Sequence, residues 1–130
     1  MNQTVSMDNK RQHTRYYSTA QAVIEGNRKE EAELKDISVT GCRIKAENYL
    51  EIRPHSKHEI RIIPEQESEV EAFKLSVEAK WAGTEVDSHI FGFGIIKSPE
   101  GKQFERYVDY LSWRYSQGNS MIGDSSPVIA

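Results

Sequence analysis

The chain contains one cysteine, Cys42, and no hydrophobic run that approaches the length of a membrane span. A single cysteine excludes an intramolecular disulfide and fits a reducing compartment. The first residues are polar and lack the apolar segment of a secretory signal peptide. We therefore expect a cytoplasmic protein that has no membrane partner.

The residue patterns that carry catalysis are also missing. The sequence has no serine, histidine and aspartate arranged as a triad, no cysteine beside a histidine, no phosphate-binding loop and no pair of carboxylates in an apolar stretch. His55 and His58 have a spacing that suits a metal ion, but no cysteine or carboxylate completes a recognisable set, so we interpret them as loop residues. The sequence thus predicts a binding protein, not an enzyme, with no cofactor and no metal site.

The whole chain has more acidic than basic residues, but basic residues are concentrated near its start. The formal net charge is −3 at pH 7, so we do not expect a general basic surface that binds long nucleic acid. Lys10, Arg11, His13 and Arg15 nevertheless form a basic cluster, with no acidic residue from position 9 to position 24. Such a cluster can hold a small anion.

Two short motifs follow one another in the first third of the chain, Arg11-x-x-x-Arg15 and Asp36-x-Ser38-x-x-Gly41. Guanidiniums are planar, permanently charged forks that match phosphate oxygens and the O6/N7 edge of guanine. The carboxylate of the second motif can accept from the ring N–H and amino group of guanine. Its hydroxyl can bond a phosphate or a base edge, and its glycine lets a ligand approach the backbone. Each motif alone has an ordinary alternative, a solvated basic tail for the first and a turn for the second.

Apolar and polar residues alternate in six segments between Ser18 and Lys97, which predicts six half-buried strands. Ile37 breaks the alternation directly after Asp36, so we expect a bulge or turn there that re-aims the second motif. Gly92 and Gly94 leave space in the last strand for another element to pack closely. The residues expected to face inward are Ala20, Ala22, Ile24, Ala32, Leu34, Cys42, Ile44, Ala46, Ile60, Ile62, Phe73, Leu75, Val77, Ala79, Trp81, Phe91, Phe93 and Ile95.

The period then changes to that of a helix. Ser98 is expected to be the N-cap with Pro99 in the first helical position, and Gly118 the C-terminal stop. An apolar stripe follows at helical spacing, and Trp113 falls opposite it, which leaves it either covered by the C-terminal tail or available to a partner. The acidic segment that contains Glu65 is expected to be a solvated turn. The predicted fold is mainly β, with six antiparallel strands closed into a small barrel and a C-terminal α-helix over one end.

The motifs, their order and this strand pattern resemble the PilZ family of bacterial cyclic di-GMP receptors. The resemblance extends from about residue 10 to residue 117 and includes the stretch Gly92-Phe93-Gly94-Ile95 before the helix. It implies a PilZ-type barrel at residues 18–117, preceded by a flexible arm at 1–17 that carries the arginine motif and followed by a disordered tail at 118–130.

The resemblance also implies a ligand and a site. Arg11 and Arg15 would clasp the guanine edges and phosphates of cyclic di-GMP, Asp36 and Ser38 would meet the guanine edge and phosphate from the barrel, and Gly41 would allow close approach. The resemblance implies that the position of Lys10 influences whether one nucleotide or a stacked pair binds, and the sequence leaves both alternatives open. Arg43, on the outward face of the third strand, is a further phosphate contact or, more simply, a solvated strand residue.

The sequence therefore predicts a receptor that binds cyclic di-GMP, orders its N-terminal arm and so presents a new surface to a protein effector in motility, biofilm formation or a related output. The main alternative is a PilZ-like adaptor that binds a motility or pilus protein without nucleotide. A small barrel that binds single-stranded nucleic acid would need aromatic side chains on an exposed basic face, whereas the strand aromatics here are expected to face inward.

Overall fold

The structure, a computed structural model, describes residues 14–26 and 29–118. Lys10, Arg11 and His13 of the basic cluster lie outside the described residues, as does the predicted tail from residue 119 onward. Within the described part of the chain, a short 3-10 turn at Gln66–Ser68 accompanies seven strands and one helix. These are β1 (Tyr16–Tyr17), β2 (Gln21–Glu25), β3 (Glu30–Ile37), β4 (Gly41–Ala46), β5 (Lys57–Ile63), β6 (Phe73–Glu85), β7 (Ser88–Lys97) and α1 (Gly101–Ser116).

Six of these strands close into an antiparallel barrel. They pair in the order β3, β2, β5, β6, β7, β4, and β4 pairs again with β3 to complete the ring. The predicted six-stranded antiparallel barrel with a C-terminal helix is confirmed. β1 is an additional strand outside the ring, where Tyr16 pairs with Ile37 and Tyr17 with Asp36.

The barrel has one core, which α1 covers at one end. Tyr107 and Leu111 of the helix are fully buried, and the Tyr107 ring centroid lies 6.0 Å from that of Phe73. Tyr16 also packs against this core, so the end of the predicted free arm is attached to the barrel. Cys42 is completely buried, as its inward position predicts, and burial raises the pKa of its thiol to about 12.

The strand pairing has three register shifts, and two of them bear on the predictions. The first lies between Leu34 and Asp36, which confirms the predicted irregularity at the second motif. The second lies between Ala79 and Trp81. The prediction that Trp81 faces inward is wrong, because the extra residue in this bulge reverses the alternation and leaves Trp81 47% exposed.

The start of the helix also differs from the prediction. α1 begins at Gly101 and Glu100 occupies the N-cap position, so Ser98 is not the N-cap. The Ser98 hydroxyl instead donates to the backbone carbonyl of Lys74 at 2.9 Å, and the Lys74 backbone N–H donates to the Glu100 carboxylate at 2.8 Å. These bonds fix the chain to β6 before it turns into the helix. In the part of the chain that the structure describes, no helix has the length and apolar character needed to cross a membrane.

Candidate nucleotide-binding site

A buried carboxylate lies at the centre of the candidate site. Asp36 of β3 is 1% exposed, and its oxygens accept hydrogen bonds from two arginines. Arg43 of β4 donates from Nε to Oδ2 at 2.8 Å and also from Nη2 to the same oxygen. Arg15, directly before β1, donates from Nη1 to Oδ1 at 3.3 Å. Since an unpaired buried charge costs several kcal/mol, these two arginines are what makes a carboxylate acceptable in this position.

Arg43 is the more firmly bound of the two. Its double hydrogen bond to Asp36 raises the pKa of its guanidinium above the ordinary value. The sequence favoured a solvated strand residue at this position, and that interpretation is wrong. The bulge in β3 places Asp36 directly opposite Arg43, so the guanidinium finds its partner within the protein.

Arg15 is held more loosely. Its bond to Asp36 is 3.3 Å long, whereas charge-assisted N–H···O bonds commonly measure about 2.7–2.9 Å. The Arg15 side chain is 37% exposed. Arg15 can therefore turn towards an anion while Arg43 remains on Asp36.

Ser38 shapes the turn between β3 and β4. Its hydroxyl oxygen accepts from the backbone N–H groups of Thr40 and Gly41, each at 3.2 Å, and its own N–H donates to the Gly41 carbonyl at 2.8 Å. Ser38 is 1% exposed. This arrangement is typical of a serine-stabilised turn, so Ser38 has a structural role, and its contact with a ligand stays a prediction.

Gly41 is required by the close approach of two protein groups. A Cβ at this position would lie 2.9 Å from the carbonyl oxygen of Phe93 in β7 and 3.3 Å from Nη2 of Arg15. A Cβ so near the β7 backbone would force a shift of the strand. The structure thus brings Arg15, Asp36, Ser38 and Gly41 together at one end of the barrel, while Arg11 and Lys10 lie outside the described residues.

An aromatic side chain that the motifs do not include borders the same surface. A Cβ on Gly92 would lie 2.3–2.8 Å from three atoms of the Trp81 indole, so the indole covers Gly92. Gly92 is the direct cross-strand partner of Arg43. The prediction that the glycines of β7 leave room for close packing is confirmed. The missing side chain at Gly92 was the signal in the sequence that a large side chain, here Trp81, could pack against β7 at this point.

Further charges lie next to Asp36 along β3. Lys35 Nζ is 2.6 Å from Oε2 of Glu85 at the end of β6. The hydrogen bond from Lys35 lowers the pKa of the Glu85 carboxyl, and Lys45 and Arg43 lower it further from a greater distance. Glu85 is therefore an anion surrounded by cations at the edge of the candidate site.

The root of the N-terminal arm is also bonded to the helix. The Ser18 hydroxyl donates to the Tyr107 hydroxyl at 2.6 Å, which donates to Glu65 at 2.6 Å, and Thr19 donates to the same carboxylate at 3.1 Å. Burial and the bond to Glu65 raise the pKa of Tyr107. The prediction of a solvated Glu65 is wrong, because these hydroxyls hold its side chain at only 10% exposure.

Comparison with known proteins identifies the family. The model of the PilZ domain matches residues 9–112. The chain belongs to the PilZ family. A search of curated protein sequences found no significant match for this PilZ domain.

Solved structures with the same fold include a motility inhibitor and a PilZ domain with c-di-GMP. The Bacillus subtilis inhibitor of motility MotI (DgrA) has 13% sequence identity and a TM-score of 0.72, with 82% of this PilZ domain and 52% of that chain covered. The PilZ domain of YcgR from Escherichia coli with c-di-GMP has 14% identity and a TM-score of 0.66, with 83% of this PilZ domain and 95% of that chain covered.

A second structure of YcgR from Escherichia coli, in complex with c-di-GMP, has 10% identity and a TM-score of 0.63, with 85% of this PilZ domain and 48% of that chain covered. The chain thus spans about half the length of the MotI chain and of this second YcgR chain. At such low identities, the likeness establishes the fold.

Proposed function

We propose that this PilZ domain is a cytoplasmic receptor that binds cyclic di-GMP at the surface around Asp36. The observation that carries the proposal is the position of Arg15, whose guanidinium contacts Asp36 and lies over Gly41. The residues of the second motif and the last arginine of the first therefore share one surface. A YcgR PilZ domain of the same fold has been solved with this nucleotide, which supports the choice of ligand.

The chemistry of the surface suits the two guanines and two phosphodiesters of this ligand. Arg11 and Arg15 bind phosphates and guanine edges from the arm, with Lys10 as an additional contact. Asp36 and Ser38 meet the guanine edge and a phosphate from the barrel. Trp81 offers an exposed aromatic face, and stacking of a base on such a face is worth about 1–3 kcal/mol.

The proposed mechanism is that the nucleotide orders the arm and so creates a composite surface for a protein effector. Fixing each arm residue costs about 1–2 kcal/mol of conformational free energy. Each charge-assisted hydrogen bond contributes about 1.5–3 kcal/mol in favour of binding. Attachment of the arm at Tyr16 and Tyr17 limits the number of residues that must be ordered. Micromolar affinity, near −8 kcal/mol, is a reasonable balance of these terms. Motility is one expected output, in view of the likeness to MotI, and biofilm formation is another.

The alternative is a PilZ-like adaptor that binds a motility or pilus protein without nucleotide. One observation favours it: the Asp36 carboxylate already accepts from Arg15 and Arg43, so the cluster has a structural use of its own. Under this alternative the arginines stabilise the barrel and have no ligand to bind.

Titration calorimetry with cyclic di-GMP, GTP and cyclic AMP distinguishes the two functions. For a receptor we expect micromolar or tighter binding of cyclic di-GMP and far weaker binding of the two control nucleotides. Absence of binding heat for cyclic di-GMP at about millimolar concentration, where a Kd of 1 mM corresponds to about −4 kcal/mol, would favour the adaptor.

A further inference from the structure

The ion pair between Lys35 and Glu85 joins two strands that are not neighbours. Lys35 lies at the bulge of β3, directly before Asp36, and Glu85 is the last residue of β6. In the barrel, β4 and β7 lie between β3 and β6. The end of the β6–β7 hairpin must therefore reach across the outer face of these strands to place Glu85 2.6 Å from Lys35.

Among the described residues, few contacts other than the pairing of β6 with β7 hold this hairpin end in place. The residues from Trp81 to Asp87 are all exposed, and Val86 at the turn is 87% exposed. Asp87 has a positive φ of 63°, as a tight turn requires. A segment with so few buried contacts opens at low free-energy cost, so its attachment to β3 depends strongly on the Lys35–Glu85 pair.

We propose that Lys35 is a further phosphate-binding cation of the site and that Glu85 occupies it until nucleotide arrives. A phosphate that takes Lys35 releases Glu85 and detaches the end of the β6–β7 hairpin from β3. This inference rests on the proposed binding of cyclic di-GMP.

The charges of the described residues support this exchange. Arg15, Arg43 and Lys35 pair with two carboxylates, Asp36 and Glu85. Release of Glu85 adds one unpaired positive charge to this cluster, which favours an anionic ligand. Asp36 is buried and cannot leave, whereas the Glu85 side chain is 44% exposed and regains water when it is displaced. Because exposed ion pairs contribute little free energy, a phosphate beside two arginines can replace this one.

Calorimetry on five variants tests the exchange. We expect Lys35→Ala to weaken cyclic di-GMP binding about tenfold, since it removes a charged phosphate donor, and Glu85→Gln to strengthen it about threefold, since Lys35 is then free. The gain from Glu85→Gln should vanish in the Lys35→Ala background. Lys57→Ala and Glu59→Gln, exposed charges on β5, are the matched controls and should bind as the unmodified protein does.

Hydrogen exchange gives the second readout. Amides of residues 82–87 should exchange faster when nucleotide is added, and equally fast in ligand-free Glu85→Gln. An undiminished gain from Glu85→Gln in the Lys35→Ala background would overturn the proposal, as would binding of nucleotide with no change in the hairpin. Absence of binding by the unmodified protein would overturn the proposed function, and this role of Lys35 with it.

Discussion

The two arginines on Asp36 make unequal contacts. Arg43 donates two hydrogen bonds from a neighbouring strand of the barrel, and Arg15 donates one longer bond from the chain before β1. We therefore expect Arg43 to matter most for the stability of the fold and Arg15 for ligand binding. Two substitutions separate these effects.

Replacing Arg15 by alanine should weaken cyclic di-GMP binding by about 2 kcal/mol or more, because phosphate or guanine acceptors lose a charged donor. The free energy of unfolding should change by less than about 1 kcal/mol, since Arg43 still pairs with Asp36. Calorimetry and thermal unfolding measure the two effects. Arg53→Ala is the control, because the Arg53 side chain is 82% exposed. A variant that unfolds yet still binds specifically would assign Arg15 to the structure alone.

Replacing Arg43 by alanine should destabilise the fold by about 2–3 kcal/mol, because the buried Asp36 carboxylate is left with one long hydrogen bond. Urea denaturation without nucleotide measures this loss. Arg61→Ala, at an exposed position of β5, should have almost no effect. Equal losses from the two substitutions would mean that the Arg43–Asp36 pair contributes no more than an exposed arginine.

At the scale of strands, the side-chain alternation was enough to predict the barrel but not the second bulge. Periodicity identifies which residues of one strand share a face. The bulge at Trp81 depends on how β6 pairs with β7, and pairing register is a property of two strands together. For the same reason, the sequence indicated the motif residues of the site but missed Arg43 as the partner of Asp36 and Trp81 as its aromatic border.

The close contact between β6 and β7 can be tested by adding a methyl group. Gly92→Ala should displace the Trp81 indole, shift its fluorescence and destabilise the fold by about 1–3 kcal/mol, as overpacking does. The measurement needs a Trp113→Phe background, since the chain has two tryptophans. Gly83→Ala is the matched control, because its Cβ would be in ordinary contact with Trp81 at 3.8 Å. Unchanged fluorescence in the Gly92 variant would contradict the packing described here.

At the scale of the whole molecule, the burial of Cys42 makes the folded protein less stable at alkaline pH. Burial raises the pKa of its thiol from 9.0 to about 12 in the folded state, so the folded protein keeps a proton that the unfolded chain releases. This contribution to stability is intact below pH 9 and is lost as pH rises towards 12. Relative to Cys42→Ala, the free energy of unfolding should fall by about 1.4 kcal/mol per pH unit above 9. Parallel pH profiles for the two proteins would contradict this.

The proposed ordering of the arm is also tested at the scale of the whole molecule. Amides before residue 15 should exchange rapidly without nucleotide and become protected when it binds, together with those of residues 36–41. The strand from Phe73 to Trp81, which belongs to the core along most of its length, should change little. Hydrogen exchange with and without cyclic di-GMP tests this. Protection of the arm before ligand is added would indicate a preformed site, and the ordering mechanism would have to be abandoned even if binding is observed.

β3 and β4 form a local hairpin that carries Asp36 and Arg43, whereas the barrel closes through the pairing of β4 with β7 and of β2 with β5, which are distant in the sequence. Pairings between distant parts of the chain form late in folding, because loop closure must precede them. A chain whose ring is still open lacks the β7 backbone beside Gly41 and Arg43, and with it the Trp81 border of the candidate site. Under the proposed function, a newly synthesised molecule should thus acquire its complete nucleotide site only at its final folding step, so that partly folded chains do not compete for the ligand.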